Sequence, residues 1–312
     1  MLLYSIKDKM RKISEYQVKW SGLENRLAQI FDPVSGHCVM LAVDHGYFQG
    51  APEGLDDLRQ TIEPLLPYCD CISPCIGGLK CLDQKTRVPI ILRATGGNSM
   101  AKVKKIPLEE IEDEEEKKKL EERGKKYKEE PIDLDDEIIT VPIRDILRTN
   151  SIGFTASCYV GMPHQKQTIK NLTDLASEGR EYELIAVGIT AVGKGLGKGV
   201  IYIKHASRLL SENGADIVKT YYCEGFEEVV ESCLAPIVIA GGTKRPTEEA
   251  LEFTYKAIQA GAVGVDMGRN IFQNENPVAM IQAIRKIVHE GKTAEEAFEF
   301  YNELTKEKEV KF

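Results

Sequence analysis

The sequence lacks long hydrophobic runs, and none of its apolar stretches approaches the roughly 20 residues that cross a bilayer. Its first twenty residues hold no apolar segment long enough for a secretory signal. An excess of basic residues is also missing: the net charge is −8 at pH 7, whereas nucleic-acid backbones favour a basic surface. The sequence therefore predicts a cytoplasmic protein whose main partners are neither membranes nor nucleic acids.

Regularly paired cysteines of the kind that bind zinc are absent as well. The chain has eight cysteines but no CxxC pair, and four of them crowd irregularly into the segment 67–81, PYCDCISPCIGGLKC. Cys69 and Cys71 alternate along an apparent strand, so we expect them to share one face of it. We interpret the cysteines as small buried apolar residues in a reducing compartment and predict no metal site.

A repeating pattern of strands and helices runs through most of the chain. Short apolar, β-branched runs alternate with amphipathic helical stretches, several of which end in glycine. These runs are residues 37–44, 69–74, 89–95, 152–160, 183–190, 216–222, 236–240 and 262–267. Near-continuous apolar strands are typical of a parallel sheet that is covered on both faces. Eight such units predict an α/β fold, a single (β/α)₈ TIM-barrel domain spanning 1–312, with its active site at the C-terminal strand ends.

Two segments fall outside this repeat. Residues 1–36 form an N-terminal extension, in which SGLENRLAQIF predicts a helix that packs over the bottom of the barrel. Residues 102–137 form an insertion after the third strand that is rich in lysine and glutamate, at spacings that favour a solvated helix. Because it leaves the C-terminal end of a strand, roles as a lid or a subunit contact stay open beside the simpler role of an exposed excursion.

The first strand ends in LAVDHG and carries two polar candidates for the site. An aspartate is costly in a protein core but useful at the mouth of a site, so Asp44 is a candidate functional residue. His45 follows directly and is a candidate for substrate binding. Because neighbouring residues of a strand point to opposite faces, a strand that ran through both residues would direct only one of Asp44 and His45 into the site.

Lys219 ends an apolar run in the sixth strand, GADIVKTYY. Burial there is expected to lower its pKa, and only the neutral amine attacks a carbonyl. The resulting imine acts as an electron sink, so that a neighbouring C–C bond can break. A structural lysine that extends from a strand end towards solvent would give the same pattern. Periodicity alone leaves these two interpretations equally supported.

Two glycine-bearing turns follow the last two strands, IVIAGGTK and VDMGRNIFQ. Gly241, Gly242 and Gly268 allow backbone N–H groups to approach an anion closely, and Arg269 can add a charge-assisted hydrogen bond. A phosphate site after strands seven and eight is the usual arrangement in these barrels. We therefore predict that the substrate carries a phosphate.

Several motifs together resemble the class I aldolase family that includes archaeal-type fructose-bisphosphate aldolases, and most closely its autoinducer-2 branch. They are MLAVDHGYFQG, VPIILRATGGNS, DIVKTYY, PIVIAGG and GVDMGRNIFQ with NPVAMI. The resemblance covers nearly the whole chain except the charged insertion. It implies that Lys219 is the Schiff-base lysine, that Asp44 lies beside it, and that the glycine turns with Arg269 hold a phosphate. It also implies a (β/α)₈ barrel assembled into a ring-shaped homo-oligomer, often a decamer.

One departure from the family pattern bears on the reaction. Fructose-bisphosphate aldolases of this type carry a YPRG-like run at the end of the fifth strand, whose tyrosine donates and accepts protons. Here the run is GITAVGKG, with Thr190 near the place of that tyrosine. An aldol cleavage must move a proton on and off the leaving hydroxyl, so the loss of the phenol favours a different acceptor chemistry.

The resemblance and this departure together predict acetyl transfer from a phosphorylated diketone to coenzyme A. The products would be dihydroxyacetone phosphate and acetyl-CoA, with coenzyme A as co-substrate and with no bound cofactor or metal, because the imine supplies the electrophile. Three alternatives stay open. They are a class I aldolase acting on fructose 1,6-bisphosphate or another phosphorylated ketose, a transaldol-type synthase, and a non-catalytic barrel that binds phosphosugars.

Overall fold

A nearly closed barrel of parallel strands lies at the centre of the molecule. The structure, a computed structural model, describes residues 21–82, 87–100, 103–131, 134–192 and 196–309. The described strands are β1 (Cys38–Ala42), β2 (Cys71–Ser73), β3 (Ile91–Arg93), β4 (Thr95–Gly96), β5 (Val103–Pro107), β6 (Tyr127–Pro131), β7 (Ile138–Ile139), β8 (Gly153–Cys158), β9 (Ile185–Thr190), β10 (Ile217–Thr220), β11 (Ile237–Ala240) and β12 (Gly264–Met267). Eight of them form one parallel sheet in the order β2-β1-β12-β11-β10-β9-β8-β3, and a bridge between Ile72 and Ile90 joins its two edges. The predicted (β/α)₈ barrel is confirmed, and each predicted apolar run contains one barrel strand.

Helices surround the barrel and separate its strands along the chain. The described helices are α1 (Gly22–Ile30), α2 (Gly46–Gln49), α3 (Leu58–Ile62), α4 (Glu114–Glu122), α5 (Ile143–Arg148), α6 (Gln165–Arg180), α7 (Val200–Glu212), α8 (Phe226–Ser232), α9 (Thr247–Gln259), α10 (Arg269–Phe272), α11 (Pro277–Glu290) and α12 (Ala294–Glu309). Helix α11 shows how the sequence sets such boundaries: Pro277 occupies its first turn, and Gly291 ends it in the left-handed region at φ 67°. No helix in the described part of the chain combines the length and apolar character required to cross a membrane.

Alternation along the strands divides the core into two layers. In β1, Val39 and Leu41 face outward and pack with the surrounding helices, whereas Cys38 and Met40 face the interior of the barrel. All five residues of this strand are buried. Continuous burial explains why the strands read as unbroken apolar runs in the sequence.

Helix α1 lies across the N-terminal ends of the strands and closes the bottom of the barrel. Its apolar residues Leu23, Leu27 and Ile30 pack in one cluster with interior residues such as Cys38 and Ile217. The Ser21 hydroxyl accepts a hydrogen bond of 3.2 Å from the backbone N–H of Glu24 and caps the helix. This helix lies within the predicted extension 1–36, of which residues 1–20 are outside the described residues. The opposite, C-terminal end of the barrel stays open.

The cysteines are placed differently from the expectation in one respect. Cys71 starts β2 and packs inside the barrel, whereas Cys69 packs in the outer layer, so the two do not share a face. The reason is that the strand begins only at Cys71, and Cys69 directly follows the 3-10 helix Glu63–Tyr68, where strand alternation does not apply. No disulfide forms among the eight cysteines, all of which lie in the described part of the chain, and five of them are buried.

The charged insertion is not mainly helical, contrary to the prediction. Strands β5 and β6 form an antiparallel pair, with Val103 opposite Pro131 and Pro107 opposite Tyr127, and only α4 between them is an α-helix. Short-range lysine–glutamate spacing predicts helix well but carries no information on pairing between segments so far apart in sequence. At the base of the insertion, β7 pairs with β4, which directly follows barrel strand β3.

Candidate active site

A cavity of about 460 Å³ opens at the C-terminal ends of the barrel strands. Its size lies within the range of small-molecule sites. All seven site residues predicted from the sequence line this cavity: Asp44, His45, Lys219, Gly241, Gly242, Gly268 and Arg269. The fold therefore brings together residues from β10, from the loops after β1, β11 and β12, and from the start of α10.

Lys219 points into the barrel and forms an ion pair with Asp266. Its Nζ lies 2.9 Å from Asp266 Oδ2, and the exposed fractions of the two side chains are 12% and 0%. The other carboxylate oxygen, Oδ1, is buried without a hydrogen-bond partner among the described residues. A buried lysine held against one carboxylate at the floor of an open cavity is suited to reaction with a carbonyl compound.

The pKa of Lys219 is shifted upward, not downward as the sequence analysis expected. Burial lowers the pKa of the ammonium group, but the carboxylates of Asp266 and Asp44 raise it by more. Burial in turn raises the pKa of Asp266, and the charge of Lys219 only partly offsets that shift. The expectation omitted Asp266, so it counted burial without the opposing charge. The amine is therefore protonated at rest and needs a proton acceptor before it can attack, and Asp266 is in contact with it.

Asp266 is a site residue that the sequence analysis missed. It lies in β12, two strands away from Lys219 in β10, and inward residues of alternate strands form one layer in such barrels. The sequence contained one feature that could have identified it: an acidic residue inside an otherwise apolar strand, GVDM. All four residues of this strand are buried. A buried aspartate at such a position requires a partner, and an inward lysine on an alternate strand provides one.

We expect Asp266→Asn to move the reactivity of Lys219 to lower pH. Without this carboxylate, burial is opposed mainly by Asp44, so the pKa of Lys219 falls and its amine becomes neutral at lower pH. The pH dependence of borohydride trapping with dihydroxyacetone phosphate measures the shift. Asp174→Asn, which removes an exposed carboxylate paired with Lys170, serves as the control. If the pH dependence of trapping in Asp266→Asn is unchanged or shifts to higher pH, Asp266 does not raise the pKa of Lys219.

Asp44 and His45 both face the cavity, although neighbouring strand residues would diverge. Strand β1 ends at Ala42, and His45 adopts helical angles (φ −54°, ψ −27°) as the residue before α2. The chain has therefore left the strand, and the alternation rule that made His45 doubtful no longer applies. Asp44 Oδ2 lies 3.6 Å from Arg93 Nη1.

The two glycine turns lie side by side and are tied together by Asn270. Its side-chain amide donates to the Gly241 carbonyl (2.8 Å), and its amide oxygen accepts from the Arg245 backbone N–H (2.8 Å). Gly242 has φ 71°, in the left-handed region that glycine adopts without strain. The Nε of Arg269 is buried and has no hydrogen-bond partner in the described part of the chain. A buried guanidinium nitrogen without a partner, beside a fixed backbone turn, is suited to an anionic ligand.

Gly268 permits the close packing of these turns against His45. A Cβ at this position would lie 2.5 Å from both the Ala42 carbonyl oxygen and His45 Cε1. We expect Gly268→Ala to displace His45 and to destabilise the fold by about 1–3 kcal/mol, the usual cost of overpacking. Thermal unfolding reports the loss of stability, and the steady-state constants kcat and KM report the displacement of His45. Gly46→Ala, where a Cβ would meet nothing within 4 Å, is the matched control and should be nearly neutral.

A buried network around Arg93, which was not identified from the sequence, forms one wall of the cavity. Arg93 Nη2 lies 2.9 Å from both carboxylate oxygens of Glu137, and it donates to the hydroxyls of Tyr47 (2.6 Å) and Ser157 (2.7 Å). The side chains of Arg93 and Glu137 are 4% and 1% exposed. Because the same guanidinium also faces Asp44, the network fixes one side of the cavity near the candidate lysine.

Glu137 shows that the end of the insertion belongs to the site. It is the last residue of the predicted insertion, yet it is buried and accepts hydrogen bonds from Thr95 (2.6 Å) and Tyr47 (2.8 Å). Leu134 of the same segment lines the cavity. The base of the insertion therefore forms part of the cavity wall.

Thr190 lines the cavity, but its hydroxyl is already engaged. Its Oγ1 lies 2.6 Å from that of Thr220, and both residues are buried. Three tyrosines from other elements, Tyr47, Tyr159 and Tyr221, line the same cavity. The missing tyrosine of the fifth strand therefore does not leave the cavity without phenols.

Comparison with known proteins gave concordant results. A model of the DeoC/LacD family of aldolases matches residues 164–274. An uncharacterised aldolase from Pasteurella multocida (strain Pm70) is 40% identical over 282 residues, 90% of this chain and 87% of that protein. A 3-hydroxy-5-phosphonooxypentane-2,4-dione thiolase from Enterobacter sp. (strain 638) is 40% identical over 284 residues, 90% of this chain and 86% of that protein. An archaeal fructose 1,6-bisphosphate aldolase is similar in fold, with a TM-score of 0.67 at 19% identity over 86% of this chain and 99% of its own.

Proposed function

Because the chain belongs to the DeoC/LacD family of aldolases, we propose that it transfers the acetyl group of 3-hydroxy-5-phosphonooxypentane-2,4-dione to coenzyme A through a Schiff base on Lys219. The membership confirms the class I aldolase resemblance of the sequence motifs. The observation that carries the proposal is the buried pair of Lys219 and Asp266, in a cavity that is also lined by Arg269, whose buried Nε has no hydrogen-bond partner among the described residues.

Imine formation begins with the transfer of a proton from Lys219 to Asp266. The transfer converts a buried ion pair into two neutral groups, and burial favours the neutral form of each. The amine then attacks the ketone next to the phosphate-bearing carbon, and water leaves as the imine forms. The negative charge of Asp44, which also raises the pKa of Lys219, stabilises the positive charge of the protonated imine that forms next.

The phosphate end of the substrate is assigned to the two glycine turns. Gly241, Gly242 and Gly268 supply backbone N–H groups, and Arg269 supplies a positive charge with a free hydrogen-bond donor. Fixing the phosphate there positions the neighbouring ketone towards Lys219. Holding a reactant in this way removes much of the entropic cost of the reaction.

The acetyl group is the electrophile in the second half of the reaction. A thiolate of coenzyme A adds to the acetyl carbonyl, and the bond between this carbon and the hydroxyl-bearing carbon breaks. The electron pair moves into the imine and leaves an enamine, which is protonated and hydrolysed to dihydroxyacetone phosphate. The relative from Enterobacter, named for this diketone, supports the choice of substrate.

The proposal is tested by incubating the purified protein with the diketone phosphate and coenzyme A. We expect acetyl-CoA and dihydroxyacetone phosphate to appear in equal amounts, as measured by liquid chromatography with mass spectrometry. Cleavage of fructose 1,6-bisphosphate without any acetyl-CoA formation would instead establish an aldolase. If the protein binds both the diketone phosphate and fructose 1,6-bisphosphate but converts neither, a non-catalytic barrel would be favoured.

The aldolase alternative is retained because of one observation. Tyr47, Tyr159 and Tyr221 line the cavity, and an aldol cleavage needs a proton-transferring group such as a phenol. Two of these phenols are poorly suited to transferring a proton. The Tyr47 hydroxyl is held between Arg93 and Glu137, and burial raises the pKa of Tyr159 well above its ordinary value. The assay above separates the two activities.

A further inference from the structure

The imidazole of His45 is held rigidly at the rim of the cavity. Its ring meets Phe272 edge to face, with centroids 5.4 Å apart, and lies 6.2 Å from the ring of Phe48. Gly268 leaves room for it, since a Cβ there would overlap the imidazole. Contacts with these two aromatic rings restrict the orientation of the imidazole and so the directions of its nitrogens.

One nitrogen of this ring faces Asp44 and the ring lines the cavity. His45 Nδ1 is buried without a hydrogen-bond partner among the described residues, and it lies 3.9 Å from Asp44 Oδ1. A small approach of the two would form an Nδ1–H hydrogen bond to the carboxylate. That bond would fix the tautomer in which Nε2 carries the lone pair, as a carboxylate does for the histidine of a catalytic triad.

Burial, more than the charges around it, favours the neutral form of the His45 ring. Burial lowers its pKa to about 4, and the positive charges of Lys219 on β10, Arg269 on α10 and Arg93 on β3 act in the same direction. Asp44, in the same loop, is the opposing group and raises the pKa. A neutral imidazole has an available lone pair and can accept a proton, which a protonated ring could not.

We propose that His45, oriented by Asp44, is the catalytic base that takes the thiol proton of coenzyme A and returns it to the substrate. This inference rests on the proposed function and assigns a role on its acceptor side. The proposal for Lys219 leaves one proton to be moved from sulfur to carbon, and His45 is the unpartnered, neutral base that lines the same cavity.

The step balances in atoms and electrons. His45 Nε2 takes the proton of the S–H group as the sulfur forms a bond to the acetyl carbon. The C–C bond breaks, acetyl-CoA leaves, and the electron pair moves through the imine to give the enamine. The imidazolium then donates its proton to the enamine carbon, and water hydrolyses the regenerated imine to release dihydroxyacetone phosphate and Lys219. During the step, Asp44 stabilises the transient imidazolium.

The test compares wild type with His45→Gln and His45→Ala in two assays. The first measures acetyl-CoA formation from the diketone phosphate and coenzyme A. The second measures borohydride trapping of Lys219 with dihydroxyacetone phosphate, which needs the imine but no thiol. We expect His45→Gln to lower kcat for acetyl-CoA by about 100-fold or more while trapping and the KM for coenzyme A stay near wild type. Added imidazole should restore part of the activity of His45→Ala.

His164→Gln is the matched control. This histidine also pairs with a carboxylate, Asp135 at 3.1 Å, but does not line the cavity, so its variant should behave as wild type. A His45→Gln variant with wild-type kcat would overturn the assignment, as would a parallel loss of trapping, which would mark a structural role. If wild type itself forms no acetyl-CoA, the proposed function fails, and this inference fails with it.

Discussion

Replacing Lys219 with methionine is expected to lower kcat/KM for any carbonyl substrate by a factor of at least about 1,000. The reason is that Lys219 is the only lysine among the described residues that line the cavity, and its ammonium lies at the floor, 12% exposed, in contact with Asp266. Methionine has nearly the same length and fills the same space. Steady-state assays of acetyl-CoA formation measure the loss, and circular dichroism verifies that the variant is folded.

The matched control for this substitution is Lys204→Met. Lys204 lies on α7, is exposed and pairs with Glu228 at 3.2 Å. Its variant should retain wild-type activity, because exposed ion pairs contribute little. A Lys219→Met variant that retained more than about a tenth of wild-type activity would exclude covalent catalysis through this residue.

Replacing Arg93 with leucine is expected to lower the free energy of unfolding by about 3–5 kcal/mol. The substitution leaves the Glu137 carboxylate, 1% exposed, without the guanidinium that lies 2.9 Å from both of its oxygens. A buried charge that loses its partner keeps the cost of dehydration but not the compensating attraction. Denaturant titration of the folded protein measures the change.

Two further variants test whether the loss of stability comes from the buried ion pair. Arg148→Leu removes an exposed guanidinium, 80% accessible, that pairs with Asp145 at 3.2 Å, and it should cost less than about 1 kcal/mol. The double variant Arg93→Leu with Glu137→Leu should recover part of the stability, because the unpaired charge is then removed. An Arg93→Leu variant no less stable than Arg148→Leu would show that the network does not support the cavity wall.

The strands and the place of Lys219 in the cavity could be predicted because each depends on local pattern. Every barrel strand lies inside an apolar run, since parallel strands with two covered faces contain few polar residues. Lys219 was a candidate because it ends such a run at the face where these barrels carry their sites, but this pattern supported a structural lysine equally well. The glycine turns were visible for the same reason.

The partners of these residues could not be predicted, because they are distant in sequence. Asp266 meets Lys219 only after β10 and β12 close into one layer of the barrel, and this partner reverses the expected pKa shift of the lysine. Arg93 and Glu137 are 44 positions apart: Arg93 precedes the insertion, and Glu137 is its last residue. Their contact depends on how the insertion returns to the barrel, which helical periodicity does not encode.

Whether His45 faces the cavity depends on where the first barrel strand ends. The predicted strand ran to Asp44, whereas β1 ends at Ala42. Strand boundaries are the least certain part of a sequence pattern, and this short difference decides whether His45 faces the cavity or the helices.

The central claim, that Lys219 forms a Schiff base, is tested most directly by mass spectrometry after trapping. The protein is incubated with dihydroxyacetone phosphate, reduced with borohydride and digested. We expect a single modified peptide carrying the reduced adduct on Lys219, which disappears in Lys219→Met and when borohydride is omitted. An unmodified Lys219 under conditions in which the enzyme turns over, or an adduct on another lysine, would contradict it.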